Sequence, residues 1–280
     1  LLGDQVGLFG DASIDASGSQ SGGVVLIGGD FQGNNPEIKN AQQTYVGADT
    51  SIKADAIDTG DGGKVIVWAD EATAFNGAVS AQGGDLIGDG GFVEISGKRS
   101  LSYDGSVNTG AINGKAGTVL FDPNNIVVSN AGNGDEGANS GTVAFTTDST
   151  NNSWNVSPAE LDAVVGAIVL QAHNDVTFTD AVDLTTSGAT LTVQAGDDIV
   201  ENANITTNNG AVSFTANAGG DQANVGQFGD ITMVNGTVIN AGNAAISLRA
   251  QGDITLGQLI TTNNADDAVT LTSTAGGIVD

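Results

Sequence analysis

The chain has 280 residues, including 42 Gly, 3 Pro, 1 His and no Cys, and 33 acidic against 7 basic residues give it a formal charge of −26. That charge excludes a nucleic-acid binder held by basic patches, since phosphates would be repelled. The missing Cys removes disulfides, thiolate metal sites and Cys nucleophiles together, and a single His excludes multi-His metal centres. No apolar run reaches the ~18 residues that a bilayer-spanning helix needs.

The composition also argues against disorder, because 39% of residues are hydrophobic and only 14% charged, enough apolar surface to offset chain entropy. Of the acids, 27 are Asp and 6 are Glu, beside 26 Asn. Asp and Asn suit turns and Glu suits helices, so short strands joined by many turns are expected and helix should be scarce. Leu1-Leu2-Gly3-Asp4 is neither an initiator Met nor a signal peptide, and Gly277-Ile278-Val279-Asp280 stops inside a strand-like pattern. The reading is a piece of a longer chain.

In chain order, residues 1–130 carry a recurring Gly-Gly-x-Val-x-hydrophobic phrase. It appears at Gly22–Ile27, Gly62–Val67 and Gly90–Ile95, with a weaker copy at Ala116–Phe121. Alternation along a strand predicts one inward column of Val25, Val65, Val93 and Val119 and another of Ile27, Val67, Ile95 and Phe121. The outward column is then Leu26, Ile66, Glu94 and Leu120, unusually apolar for a solvent face. Two readings stay open. An extra segment, such as 30–45 or 98–113, covers that column, or else Leu26, Ile66, Leu120 and the nearby Trp68 form a contact surface.

Residues 131–166 interrupt the pattern. The Gly-, Asn- and Thr-rich stretch from 130 to 155 reads as a loop with one edge strand, Thr142–Thr146. Ser157-Pro158-Ala159-Glu160-Leu161 then supplies an N-cap, a Pro at the first helical position and a capping-box Glu. A helix of about two turns is expected near 157–166, with Leu161, Val164 and Val165 as its apolar stripe and Trp154 packed against it.

Residues 167–280 carry a second phrase. Its copies are Ile168–Ala172, Leu191–Ala195, Val212–Ala216, Ile246–Ala250 and Val269–Ser273. Two smaller echoes lie between them: Asp-hydrophobic at Asp175, Asp198, Asp230 and Asp253, and hydrophobic-Thr-Thr at Leu184, Ile205 and Ile260. The inward columns become Ile168, Leu191, Val212, Ile246 and Val269, then Leu170, Val193, Phe214, Leu248 and Leu271. A unit this small, with three short strands, cannot close its own core, whereas stacked units can. The fold class expected is all-β: a parallel β-helix, or β-solenoid, rising ~4.8 Å per coil, with one short helix near 157–166.

The Gly-Gly-x-Val-x-Ile units, the stretches Asp55–Asp70 and Phe75–Ala81, Gly117–Ile126 and the repeats of 168–280 together resemble filamentous-haemagglutinin-type exoproteins of two-partner secretion. The resemblance implies a right-handed β-helix and an adhesive or filament-forming role, as a shaft segment of a large secreted protein on the outer surface of a Gram-negative bacterium. It implies an outer-membrane transporter during secretion, a host or neighbouring-cell surface or its glycans as partner, and no catalytic residues. Stacked coils with open strand edges also favour self-association, end-to-end or laterally.

The alternative is a polysaccharide-binding or polysaccharide-cleaving β-helix. Stacking places Trp68, Ser96 and Asp122 in one column and Asp70 and Lys98 in another, with Glu94 on the same sheet. That is a carboxylate-lined groove beside an aromatic platform. Against it, Asp at strand ends is what turn chemistry produces anyway. No cofactor is expected except calcium, for which hard oxygen ligands are plentiful. The candidates are Asp135 and Glu136 after Asn133-Gly134, and Asp221 after Gly219-Gly220, although these glycine-aspartate turns do not run in tandem. His173 reads as an isolated turn residue.

Overall fold

The structure, a computed structural model, describes residues 1–130, 153–217 and 228–280. Among them nearly all regular structure is β-strand, arranged in parallel sheets, and no helix is long and apolar enough to cross a membrane. The chain forms two compact units. The first is built on Leu1–Pro123 and Ala163–Ala167, the second on Asn155–Asp162 and Ile168–Asp280 together with the stretch that begins at Asn124.

In the first unit each strand pairs with the strand three places further along the chain, which is solenoid-like construction. One sheet holds Gln5–Leu8, Gln43–Val46, Ala72–Phe75 and Ser100–Tyr103. The second holds Ser13–Asp15, Ser51–Lys53, Ala78–Ser80 and Ser106–Asn108. The third holds Val24–Ile27, Lys64–Ala69, Phe92–Gly97 and Thr118–Phe121. In that third sheet Val25 lies opposite Val65, Val65 opposite Val93 and Val93 opposite Val119, the register the repeats predict. Burying each such aliphatic contributes ~1.5–3 kcal/mol, and a shift of one residue would turn every one of them outward.

Aromatic rings close part of this core. Phe75 stacks on Tyr103 at 5.9 Å, and Tyr103 meets Phe121 edge-on at 5.0 Å. The sequence placed Trp154 against the helix, but its ring neighbours are Phe121 at 4.9 Å and Tyr103 at 6.5 Å. Corner threonines satisfy carbonyls that the sheets leave over: the buried Thr44 and Thr73 hydroxyls donate to the Trp68 and Ser96 carbonyls, each at 2.7 Å.

The second unit repeats the scheme with shorter coils. Ala167–Ala172, Leu191–Ala195, Val212–Ala216, Ile246–Ala250 and Val269–Ser273 stack in the predicted register, from Ile168 through Leu191, Val212 and Ile246 to Val269. Leu170, Val193, Phe214, Leu248 and Leu271 form the next column. Phe178 and Phe214 stack at 5.8 Å inside it. The hydrophobic-Thr-Thr echo misaligns at two copies: Leu259, not Ile260, continues the column from Ile205 through Ile239. Val182, not Leu184, lies opposite Ile205, and Leu184 lies opposite Thr207. A two-residue offset preserves the inward face, so alternation cannot detect it.

The helix is Pro158–Asp162, one turn shorter than expected. Its capping box forms as read: Ser157 N–H donates to Glu160 Oε2 at 2.7 Å, and Glu160 N–H donates to Ser157 Oγ at 3.2 Å. Leu161 is buried, but Val165 does not continue the stripe. It forms a parallel bridge with Asn108, its carbonyl accepting from Thr109 N–H at 2.8 Å, so strand pairing ends the helix early. The expected edge strand at 142–146 lies outside the described residues.

Candidate functional site

The most chemically loaded place in the first unit is the outer face of its third sheet. Leu26, Ile66, Glu94 and Leu120 stand in one register column there. After Val24–Ile27 the chain folds back over this face as a flap, residues 30–40, before the next coil begins. Asp30 caps a short 3-10 turn, Phe31–Gly33, by accepting from Phe31 N–H at 2.7 Å.

Gln32 sits at the centre of the contact. Its backbone is left-handed (φ 52°, ψ 22°), a strained conformation for a residue with a Cβ. That geometry directs its N–H at both Glu94 carboxylate oxygens, 3.2 Å from each. Its side-chain amide donates to Asp122 Oδ2 at 3.0 Å, so one residue holds two carboxyl groups.

Polar and aromatic contacts fasten the rest of the flap. Asn40 donates to the Gly33 carbonyl at 2.9 Å and to Asp70 Oδ1 at 3.0 Å, and the Trp68 indole N–H reaches the same Asp70 oxygen at 3.0 Å. Lys64 bridges to Asp30 at 3.1 Å and lies over the Phe31 ring, which meets Phe92 edge-on at 5.8 Å. Gly33 has φ +62°, and a Cβ there would come within 2.6 Å of Trp68 Nε1, so only glycine lets the flap lie this close.

The electrostatics follow from this cover. Glu94 is 0% exposed and Asp122 7%. Burial pushes Glu94 up to about 8, the Asp122 charge adding to it while the Gln32 N–H and Ser96 oppose. Burial likewise pushes Asp122 up to about 7 against the Gln32 amide and Lys98. Asp30 behaves oppositely: bonds from Asn35 and Phe31 N–H, aided by Lys64, hold it down near 2. The flap is therefore anchored by a carboxylate that stays ionised down to about pH 2 and rests on two that resist ionisation.

This arrangement decides between the two readings of the apolar column. Ile66, Leu120 and Trp68 are buried and Leu26 is half-buried, so they do not form an open contact surface. The cover is 30–40, within the first of the two expected segments, whereas residues 98–113 supply the strands Ser100–Tyr103 and Ser106–Asn108 of the next coil. Trp68 does stand opposite Ser96, and Ser96 Oγ accepts from Asp122 N–H at 3.1 Å, so the expected carboxylate and aromatic groups are together. They are not an open groove. Gln32 and Asn40, which hold them, had no motif to mark them.

The second unit places its acids at the corners. Asn125 Oδ1 accepts from Asp175 N–H, Asp175 Oδ1 from Asp198 N–H, Asp198 Oδ1 from Asp230 N–H, Asp230 Oδ1 from Asp253 N–H, and Asp253 Oδ1 from Gly277 N–H, at 2.7–3.3 Å. The Asp-hydrophobic echo is thus an Asx ladder that satisfies one backbone donor per coil. Asp175, Asp197 and Asp198 present oxygens within 4.8 Å of one another, compatible in chemistry with a hard cation. Asp135, Glu136 and Asp221 lie outside the described residues. His173 is exposed in its turn.

One acid points the other way. Glu201 stands in an inward column between Phe178 and Met233. It is 0% exposed, and among the described residues no group meets full hydrogen-bond geometry with either carboxyl oxygen. Burial pushes it up to about 8, with only the Thr237 hydroxyl beside it opposing. No family model and no curated protein matches the chain.

Proposed function

We propose that the chain is a structural and adhesive shaft segment, a right-handed parallel β-helix in a large secreted exoprotein displayed on the outer surface of a Gram-negative bacterium. In this reading it has no catalytic role; it spaces binding regions from the cell and contacts host or neighbouring-cell surfaces or their glycans. The observation that carries this reading is the continuity of coil register within each unit, together with the use of polar side chains on the coils themselves. Corner carboxylates accept backbone donors from the next coil, and the Glu94–Asp122 pair is occupied by the chain's own Gln32. Such construction yields length and a laterally uniform surface. Passage through an outer-membrane transporter and lateral or end-to-end self-association belong to the same proposal.

The test is adhesion of beads coated with the purified chain to epithelial and bacterial cells and to arrayed glycans, with and without Ca²⁺, alongside light scattering over a concentration series. Saturable binding without turnover supports the reading. Absence of binding to every surface, together with a strictly monomeric chain, contradicts it.

A second reading, a polysaccharide-binding or polysaccharide-cleaving protein, is favoured by one observation. Two carboxyls with raised proton affinity lie on the same face as Trp68. It predicts release of reducing ends from acidic or neutral glycans, lost in Glu94→Gln.

A further inference from the structure

The flap over the first unit's outer face is built unlike the rest of the coil. At the corners a side-chain oxygen accepts one backbone N–H from the next coil, as at Asp61, Asp89, Asp198 and Asp230. Here a strained left-handed residue bridges two carboxyl groups on an otherwise aliphatic face, with three hydrogen bonds of 3.0–3.2 Å. We propose that residues 30–40 are a proton-linked latch, closed while the Glu94–Asp122 pair retains protons and released as both carboxyls ionise.

The groups around the pair support this assignment. Glu94 has Phe92 and Ser96 on its own strand, and Ile66 and Leu120 opposite it on the neighbouring strands. On the strand Lys64–Ala69, Lys64 is already paired with Asp30 of the flap, and Trp68 is bonded to Asp70. Beyond the strand Thr118–Phe121 comes Asp122, a like charge. The flap presents Gln32 to both carboxyls, while Asp30 is held by Asn35 and Lys64, and Lys39 pairs with Asp4 in the open. Glu37 and Lys98 are exposed. The Gln32 N–H and amide, as donors, favour the ionised carboxyls, and Lys64 and Lys98 do so more weakly, but burial under the flap outweighs all of them. Full ionisation therefore puts two negative charges side by side under cover, with no cation among the described residues bonded to either carboxyl.

Opening the flap lets water solvate both groups and returns them to the ordinary carboxylate range. The closed form, in which Glu94 lies near 8 and Asp122 near 7, is thus favoured fully at acid pH. That preference is lost as pH rises from about 4 towards 8, at about tenfold in the open-to-closed ratio per pH unit for each proton released. Strain at Gln32 adds to the tendency to open. Release uncovers Trp68, Glu94 and Asp122, the face on which the glycan-cleaving reading rests. The latch itself needs neither functional reading.

The test is amide hydrogen exchange of the 280-residue chain between pH 5 and 9, corrected for intrinsic exchange. Peptides covering 30–42 are followed against the core strand 65–69. The latch predicts that protection of 30–42 falls by at least tenfold across this range while 65–69 stays protected. In the double variant Glu94→Gln/Asp122→Asn the extra pH dependence disappears. Gln32→Ala raises exchange of 30–42 at pH 5 severalfold, because one carboxyl loses its bridge. Protection of 30–42 that does not change with pH, a parallel loss in 65–69, or a pH dependence that survives in the double variant would each overturn the proposal. If the double variant does not fold, the wild-type profile and Gln32→Ala decide.

Discussion

The two units use the same three-strand coil and both ladder corner acids, Asp61 and Asp89 accepting from Asp89 and Lys115 N–H in the first, but they bury acids in opposite ways. In the first, two carboxyls stand on the outer face of a sheet and are buried only because 30–40 folds over them. In the second, the loop acids join an exposed-edge ladder, and one Glu, Glu201, faces the core between Phe178 and Met233. A thin solenoid core has few layers, so each departure from alternation is conspicuous. A covered outward carboxyl can be released by moving a loop. An inward one can be released only by opening the coil.

The largest effect should come from the core itself. Phe214→Ala removes the partner of Phe178 and should cost about 3–5 kcal/mol in urea unfolding followed by far-UV circular dichroism. Because Trp68 and Trp154 are both in the first unit, tryptophan fluorescence tells whether that loss stays in the second unit or spreads. A loss below about 1 kcal/mol would show that the columns of the two units are not equivalent load bearers.

The pH dependence of stability comes next. The three carboxyls buried among the described residues have folded-state values above the ordinary range, Glu94 and Glu201 near 8 and Asp122 near 7. Their contribution is therefore fully present below about pH 4 and is lost as pH rises through 7–8. The melting temperature should fall between pH 5 and 8.5, the reverse of a protein stabilised by ionised carboxylates. Glu201→Gln should flatten part of that slope in the global melt. Glu94→Gln should act mainly on exchange of 30–42, because its burial depends on the flap.

The smallest effect belongs to the ladder. Asp230 accepts from Asp253 N–H at 2.7 Å, so Asp230→Ala should cost about 1 kcal/mol, whereas Asp230→Asn keeps the acceptor and removes a like charge. Asp230→Asn should be neutral or slightly stabilising at low salt, a difference that vanishes as salt screens the corner charges. A large loss in Asp230→Asn would mean that the ladder needs its charge, and hence a cation.

Much of this was legible in the sequence, for a physical reason. Coil stacking forces side chains into register, so Val25-Val65-Val93-Val119 and Leu170-Val193-Phe214-Leu248-Leu271 align in the sequence alone. The capping box at Ser157 and Glu160 is local and equally readable. What escaped depends on contacts without a repeat. Gln32 reaches Glu94 and Asp122 across a loop that no other coil carries, and Asn40 ties Gly33 to Asp70 in the same way. The apolar run Leu26, Ile66 and Leu120 signalled that something lay above it, but not which segment. The helix ended early because Val165 bridges Asn108, a competition invisible to helix signals. The Leu184 echo slipped by two because face and chemistry survive such a shift.

The central claim is that the whole coil is the unit of construction, and deletion tests it most directly. Removing residues 191–211 takes out one complete coil, leaving Val212 to pair with Ile168, Ile231 with Val176, and Asp175 to accept from Asp230 N–H. That variant should fold, with strand circular dichroism retained and a single cooperative melt. Removing only 191–202 leaves the strands out of register and should abolish cooperative folding. If the two deletions prove equally disruptive, or equally harmless, the coil is not the unit, and the account of the second unit fails.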